Sequence, residues 1–115
     1  MSRRDEAWLQ DIVDALDAIE EHLERGTLDD GLVYDAVRMR LFEIGEAVKA
    51  IDPDLLGRAP QVPWREIARM RDVLAHHYFD TDHAIVQDVV DQNLEPLRAA
   101  AETLLAEIGS APGEP

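Results

Sequence analysis

Apolar residues recur along this chain at helical spacing. Trp8, Ile12, Leu16, Ile19 and Leu23 follow one another at intervals of 4, 4, 3 and 4, with Asp11, Asp14, Asp17, Glu20, Glu21 and Glu24 mostly on the other faces. That is one apolar stripe on an amphipathic helix. Gly26 stands where a glycine would end it, and Asp29 or Asp30 can cap the next helix. The second stripe is Val33, Val37, Leu41, Ile44, Val48 and Ile51, stopped by Pro53. Gly57, Pro60 and Pro63 mark a loop, with room for one helical turn at Asp54 to Leu56. A third helix is expected from Trp64 to about Phe79, and Asp80-Thr81-Asp82 supplies a break and a new N-cap. A fourth segment carries Ile85, Val86, Val89 and Val90 until Asn93 and Pro96 interrupt it, because proline lacks a donor and clashes with the preceding turn. Pro96 suits the first turn of a last stretch with Leu97, Ala101, Leu104, Leu105 and Ile108. No period-two alternation competes. The pattern predicts an all-α, up-and-down antiparallel bundle of four long helical segments with a break near Asn93-Pro96.

At 115 residues the chain has room for one domain, read as residues 1–108, with Gly109 to Pro115 as a disordered tail. The absence of cysteine excludes a disulfide framework, a thiolate metal site and a thiol nucleophile. Met1 to Arg4 has no apolar run behind it, and no stretch reaches the roughly 18–20 apolar residues of a spanning helix, so a cytoplasmic protein is expected. Eleven basic against 25 acidic residues give a net charge of −14, which argues against a generic nucleic-acid or anionic-membrane binder. The distribution changes that picture. Residues 1–37 carry 3 basic and 11 acidic side chains, and residues 72–115 carry 1 and 9, whereas residues 38–71 carry 7 and 5. Of those seven cations, Arg38, Arg40, Arg58, Arg65, Arg69 and Arg71 are arginines and Lys49 is the lysine. Ordinary surface salt bridging explains such a cluster; so does a local anion site, since arginine grips phosphate bidentately.

The segment Arg71-Asp72-Val73-Leu74-Ala75-His76-His77-Tyr78-Phe79 gathers Arg, His and Tyr. On an ideal helix Trp64, Ile67, Leu74 and Tyr78 share a face with Arg71 among them, Arg65, Arg69, Asp72 and His76 fall within about 60° on an adjoining face, and Arg71 and His76 lie about 140° apart. A guanidinium at the edge of an apolar stripe requires a partner. RNA cleavage through its own 2′-OH needs a proton acceptor, a proton donor and positive charge at the phosphate; histidine supplies the first two near neutral pH and arginine the third. The plain alternative is a core-edge Arg71 paired with Asp72 or a carbonyl, and histidines resting at a helix end.

The stretch Val62 to Phe79 closely resembles the HepT-like branch of the HEPN superfamily, whose Arg-x4-His-x-Tyr motif is matched by Arg71, His76 and Tyr78. Leu41-Phe42-Glu43-Ile44-Gly45-Glu46-Ala47 resembles that family's second-helix signature, and Asp88-Val89-Val90 through Leu94-Glu95-Pro96-Leu97 also fits. The resemblance spans about residues 5–108. It implies a helical-bundle ribonuclease toxin of a type II toxin–antitoxin pair, cutting RNA without metal or other cofactor as a homodimer with a composite cleft. It also implies a minimal nucleotidyltransferase antitoxin that transfers AMP to the motif tyrosine. By the same resemblance Arg71 would stabilise phosphate, His76 would be the acid/base and Tyr78 the modified residue, with Arg65, Arg69 and His77 as candidate RNA contacts. Asp72 stands where the family often has asparagine.

Other readings stay open beside it. Tyr78 can serve packing alone, His77 can be a solvated neighbour, and the same fold can be a non-catalytic partner of a nucleotidyltransferase. His76, His77, Asp80, Asp82 and His83 match no familiar zinc spacing, so no metal site is expected. Gly45 inside a helix costs about 1 kcal/mol against alanine unless another helix approaches closely there.

Overall fold

Asp30 ends the loop after the first helix and caps the second. Its carboxylate accepts from the amides of Leu32 and Val33, at 2.8 and 3.4 Å, which settles the choice between the two aspartates. From there α2 (Gly31–Ala50) runs back along α1 (Arg3–Arg25), with only five residues between them. The computed structural model describes residues 3–76 and 79–109, the side chains of Arg3 and residues 79–82 excepted.

α1 buries Leu9, Ile12, Leu16 and Ile19, the expected stripe with Leu9 added, and leaves Trp8 and Leu23 half-buried. α2 buries Val33, Val37, Leu41, Ile44 and Val48. Each such aliphatic side chain taken out of water contributes roughly 1.5–3 kcal/mol. Asp52 caps the single turn α3 (Pro53–Leu56) through the Asp54 amide at 2.9 Å. The buried Asp5 of α1 accepts from the Asp52 amide at 3.3 Å, tying the start of the chain to this corner. α4 (Trp64–Leu74) follows Pro63, and the Trp64 indole N–H donates to the Ala59 carbonyl at 2.9 Å, closing the loop beneath it.

α5 (Phe79–Gln92) and α6 (Leu94–Gly109) are separated by Asn93 alone. Pro96 occupies the first turn of α6, and the Leu97 amide donates to the Asn93 carbonyl at 3.0 Å, so the two form one long segment with a break, as the sequence predicts. α1 packs on α2 and α6, and α2 packs on α4. Arg98 of α6 bridges to Asp17 and Glu20 of α1 at 2.8 and 2.7 Å. The described residues form helices and connecting turns without strands, and no helix among them is long and apolar enough to cross a membrane. α6 includes Gly109; residues 110–115, expected as a tail, lie outside the described residues.

Two expectations need correction. The third helix ends at Leu74, not near Phe79, and Asp80-Thr81-Asp82 lies inside α5 instead of breaking the chain. The cause is distant in sequence. The Arg38 guanidinium of α2 donates to the Leu74 carbonyl, an acceptor that a continuing helix would use for the amide four residues on. The Ala75 amide turns to Arg71 and the His76 amide to the Val73 carbonyl at 3.1 Å, tightening the last turn.

Candidate functional site

Phe42, Gly45 and Glu46 are spaced three and four apart, so they lie on one face of α2, and that face meets α4 at Arg71. A Cβ on Gly45 would stand 2.5 Å from the Arg71 Cβ and 3.3 Å from the Ile67 carbonyl oxygen. The missing side chain is therefore what lets the two helices approach. Close approach at Gly45 is legible in the sequence; that the approaching residue is Arg71 is not.

With its backbone held there, Arg71 is surrounded in three directions. Its Nε donates to Glu46 Oε1, its Nη1 donates to Asp72 Oδ1 at 2.9 Å, and its guanidinium carbon lies 5.4 Å from the centre of the Phe42 ring. Lys49, one helical turn beyond Glu46, reaches Asp72 Oδ1 at 3.3 Å. Two cations and two carboxylates thus form one chain across α2 and α4. The hydrogen bonds that Arg71 donates to Asp72 and then to Glu46 raise its pKa further above its ordinary value, against an opposing effect of burial, so Arg71 is a fixed cation. The hydrogen bonds from Arg71 and then Lys49 hold the Asp72 carboxyl below the ordinary aspartate range. The Arg71 side chain remains 33% exposed, open to an incoming anion.

His76 lies past the end of α4, exposed, and its ring makes no hydrogen bond among the described residues. The expected 140° relation to Arg71 therefore does not apply: Arg71 is carried by the helix and His76 by the chain that leaves it. The adjoining polar strip survives only as far as Arg65, Arg69 and Asp72. His77 and Tyr78 lie outside the described residues. In the His/Asp cluster considered for metal, only His76 and His83 have described side chains, and His83 stacks on Tyr34 of α2 with ring centres 5.1 Å apart, its Nε2 3.4 Å from the Leu28 carbonyl. It packs α5 onto α2.

The cationic middle of the chain divides in two. Arg38 holds Leu74, Arg40 pairs with Glu43, Lys49 with Asp72, Arg58 with Glu107, and Arg71 with Glu46 and Asp72. Arg65 and Arg69 are exposed and form no ion pair among the described residues. Most of this charge is thus balanced within the fold, as plain salt bridging predicts, while Arg65 and Arg69 face solvent on the helix that carries Arg71. Sequence reasoning missed Glu46 as the partner of Arg71; its signal was the adjacent Gly45, which brings its face of α2 against α4.

A fixed, half-exposed guanidinium can hold a phosphate while charge develops on it, and an unengaged imidazole nearby along the chain can move a proton. A family model described as "Ribonuclease HepT-like" matches residues 10–104. A protein of Thermococcus cleftensis named "Probable ribonuclease HepT" is 37% identical over 108 residues, covering 90% of this chain and 98% of its own. "Putative RNase MJ0127" of Methanocaldococcus jannaschii is 40% identical over 88 residues, 73% of each chain, and "Putative RNase MJ1216" of the same organism is 31% identical over 113 residues, 94% of this chain and 93% of its own. No solved structure matches.

Proposed function

The chain belongs to the HepT-like ribonuclease family, and from that premise we propose that it is an endoribonuclease that cuts RNA with Arg71 and His76 and needs no metal. The observation that carries the reading is the α2 cradle. Gly45 admits Arg71, while Phe42 and Glu46 orient its charge at an accessible surface. In the cut, a base takes the proton of the 2′-OH, the 2′ oxygen attacks the adjacent phosphorus, and the bond to the 5′ oxygen breaks as that oxygen receives a proton. The products are a 2′,3′-cyclic phosphate and a 5′-OH. Arg71 stabilises the charge on the non-bridging oxygens, and His76 takes or gives the proton. Arg65 and Arg69, on the same helix and unpaired among the described residues, bind flanking phosphates, as does His77.

One histidine supplies one proton transfer at a time. A homodimer with a composite cleft supplies two, and this is the arrangement we propose. We further propose that the chain is the toxin of a type II toxin–antitoxin pair in the cytoplasm, and that its antitoxin is a minimal nucleotidyltransferase that places AMP on Tyr78. A phosphate two residues along the chain from His76 would repel RNA. One observation favours a second reading, a non-catalytic partner of such a nucleotidyltransferase: Glu46 and Asp72 already balance the charge of Arg71.

The test is RNA cleavage in the presence of chelator by protein made without any partner gene. Wild type should cut, and folded Arg71→Ala and His76→Ala should not. Intact RNA with all three proteins would leave the non-catalytic reading standing. Intact mass after co-expression with the nucleotidyltransferase should rise by whole AMP units, and Tyr78→Phe should abolish the rise.

A further inference from the structure

On the side of α2 next to the Arg71 cradle, a groove of about 610 Å³ runs between α1 and α2. Its residues come from one strip of each helix: Trp8, Asp11 and Ala15 of α1, and Met39, Phe42 and Glu46 of α2. Both strips run about two helical turns. Trp8 and Phe42 are half-buried, and Met39, at 49% exposure, is one of two large apolar side chains the described surface leaves open. Above this apolar floor the rim is acidic. Asp11, Asp14, Glu43 and Glu46 face a single arginine, Arg40, which already pairs with Glu43 at 3.0 Å. The Arg40 Nε lies buried with no acceptor among the described residues.

We propose that this groove docks a basic, amphipathic helical segment of a partner protein. A helix laid between two helices presents apolar residues at three- and four-residue intervals, the spacing the groove itself shows. Lysines or arginines flanking that stripe meet the acidic rim. Charge decides against other occupants. RNA would bring phosphates to four carboxylates, and a second copy docked groove to groove about a two-fold axis would set the same acidic rim against itself. Docking also reaches the cradle. Phe42 and Glu46 belong to both places, so a cation from the segment competes with Arg71 for Glu46. The docking itself stands on the groove, independently of the ribonuclease reading.

The probe is a synthetic helical peptide with leucines on one face and lysines on the other, titrated into the full chain and followed by calorimetry and by backbone and arginine Nε resonances. Shifts should concentrate at Trp8, Met39 and Phe42, with the Arg71 Nε resonance moving on saturation. Asp14→Lys and Met39→Ser should each weaken binding by about tenfold or more, whereas Glu102→Lys, the same kind of charge reversal on an exposed position of α6, should change it less than about twofold. Equal losses from Asp14→Lys and Glu102→Lys would overturn the proposal in favour of general attraction to an acidic protein. Shifts at Trp8 and Met39 with a short oligoribonucleotide but not with the peptide would overturn it in favour of RNA. A dimer that Met39→Ser converts to monomer in light scattering would overturn it in favour of a second copy.

Discussion

Arg98 on α6 and Arg71 on α4 are each held by two carboxylates, and they are held differently. Arg98 gives one nitrogen, Nη2, to Asp17 and Glu20, both from α1, and its side chain is 20% exposed. Burial works against its charge, and the two carboxylates outweigh that, leaving its pKa above the ordinary value. Arg71 gives two different nitrogens to carboxylates on two different helices, and its guanidinium lies over a ring. Its Cβ fills the space left by a glycine. A staple between helices requires opposite charge and reach. It has no use for an aromatic face or for a glycine in a helix interior, which costs helix stability. Counting ion pairs would rank the two arginines together; the neighbours that add nothing to a staple separate them.

The sharpest expected break between the two is in RNA cleavage. Arg71→Ala and His76→Ala should each lower RNA cleavage by about 100-fold or more, the size typical of losing one acid–base or charge-stabilising group. Arg98→Ala should leave cleavage within about twofold, measured at equal concentration of folded protein. Gly45→Ala should follow, destabilising the fold by about 1–3 kcal/mol in urea unfolding, because the new methyl meets the Arg71 Cβ and the Ile67 carbonyl. It should also lower cleavage, since relief of the clash moves Arg71. Loss of cleavage without loss of stability would mean that α4 yields freely. Arg98→Ala ranks third, at about 1 kcal/mol, because its carboxylate partners are largely exposed.

The smallest effect is in acid. The Asp72 carboxyl titrates below its unfolded value, so the stability it contributes is present above the ordinary aspartate range and is lost as pH falls through the lowered value. Asp72→Asn should remove that acid limb from a stability–pH profile and leave the neutral region nearly flat. A limb that persists in the variant would assign the acid sensitivity to other carboxylates.

How much of this was legible in the sequence depended on reach. Apolar spacing placed the buried faces of α1 and α2, and Asn93 with Pro96 marked the break, because those signals are local. That Arg71 needs a partner was legible, and Asp72 was within view as the next residue. Glu46 stands 25 residues upstream, so only the folded chain shows it as a partner. The end of α4 was misplaced for the same reason. Val73 to Phe79 contains no proline or glycine, and the stop comes from Arg38, 36 residues before Leu74. Local pattern could not show that the motif's arginine and histidine lie on opposite sides of a helix terminus.

The Arg38 contact bears on how the motif can tolerate change. Were α4 continued beyond His76, a residue inserted there would swing all that follows by about 100° around the axis. Because α2 fixes the last carbonyl of α4, an insertion after His76 lengthens the chain beyond the helix by only a few ångströms and leaves the arginine in its cradle. The number of residues between His76 and α5 is thus free to vary, while the register of Gly45 against Arg71 is not.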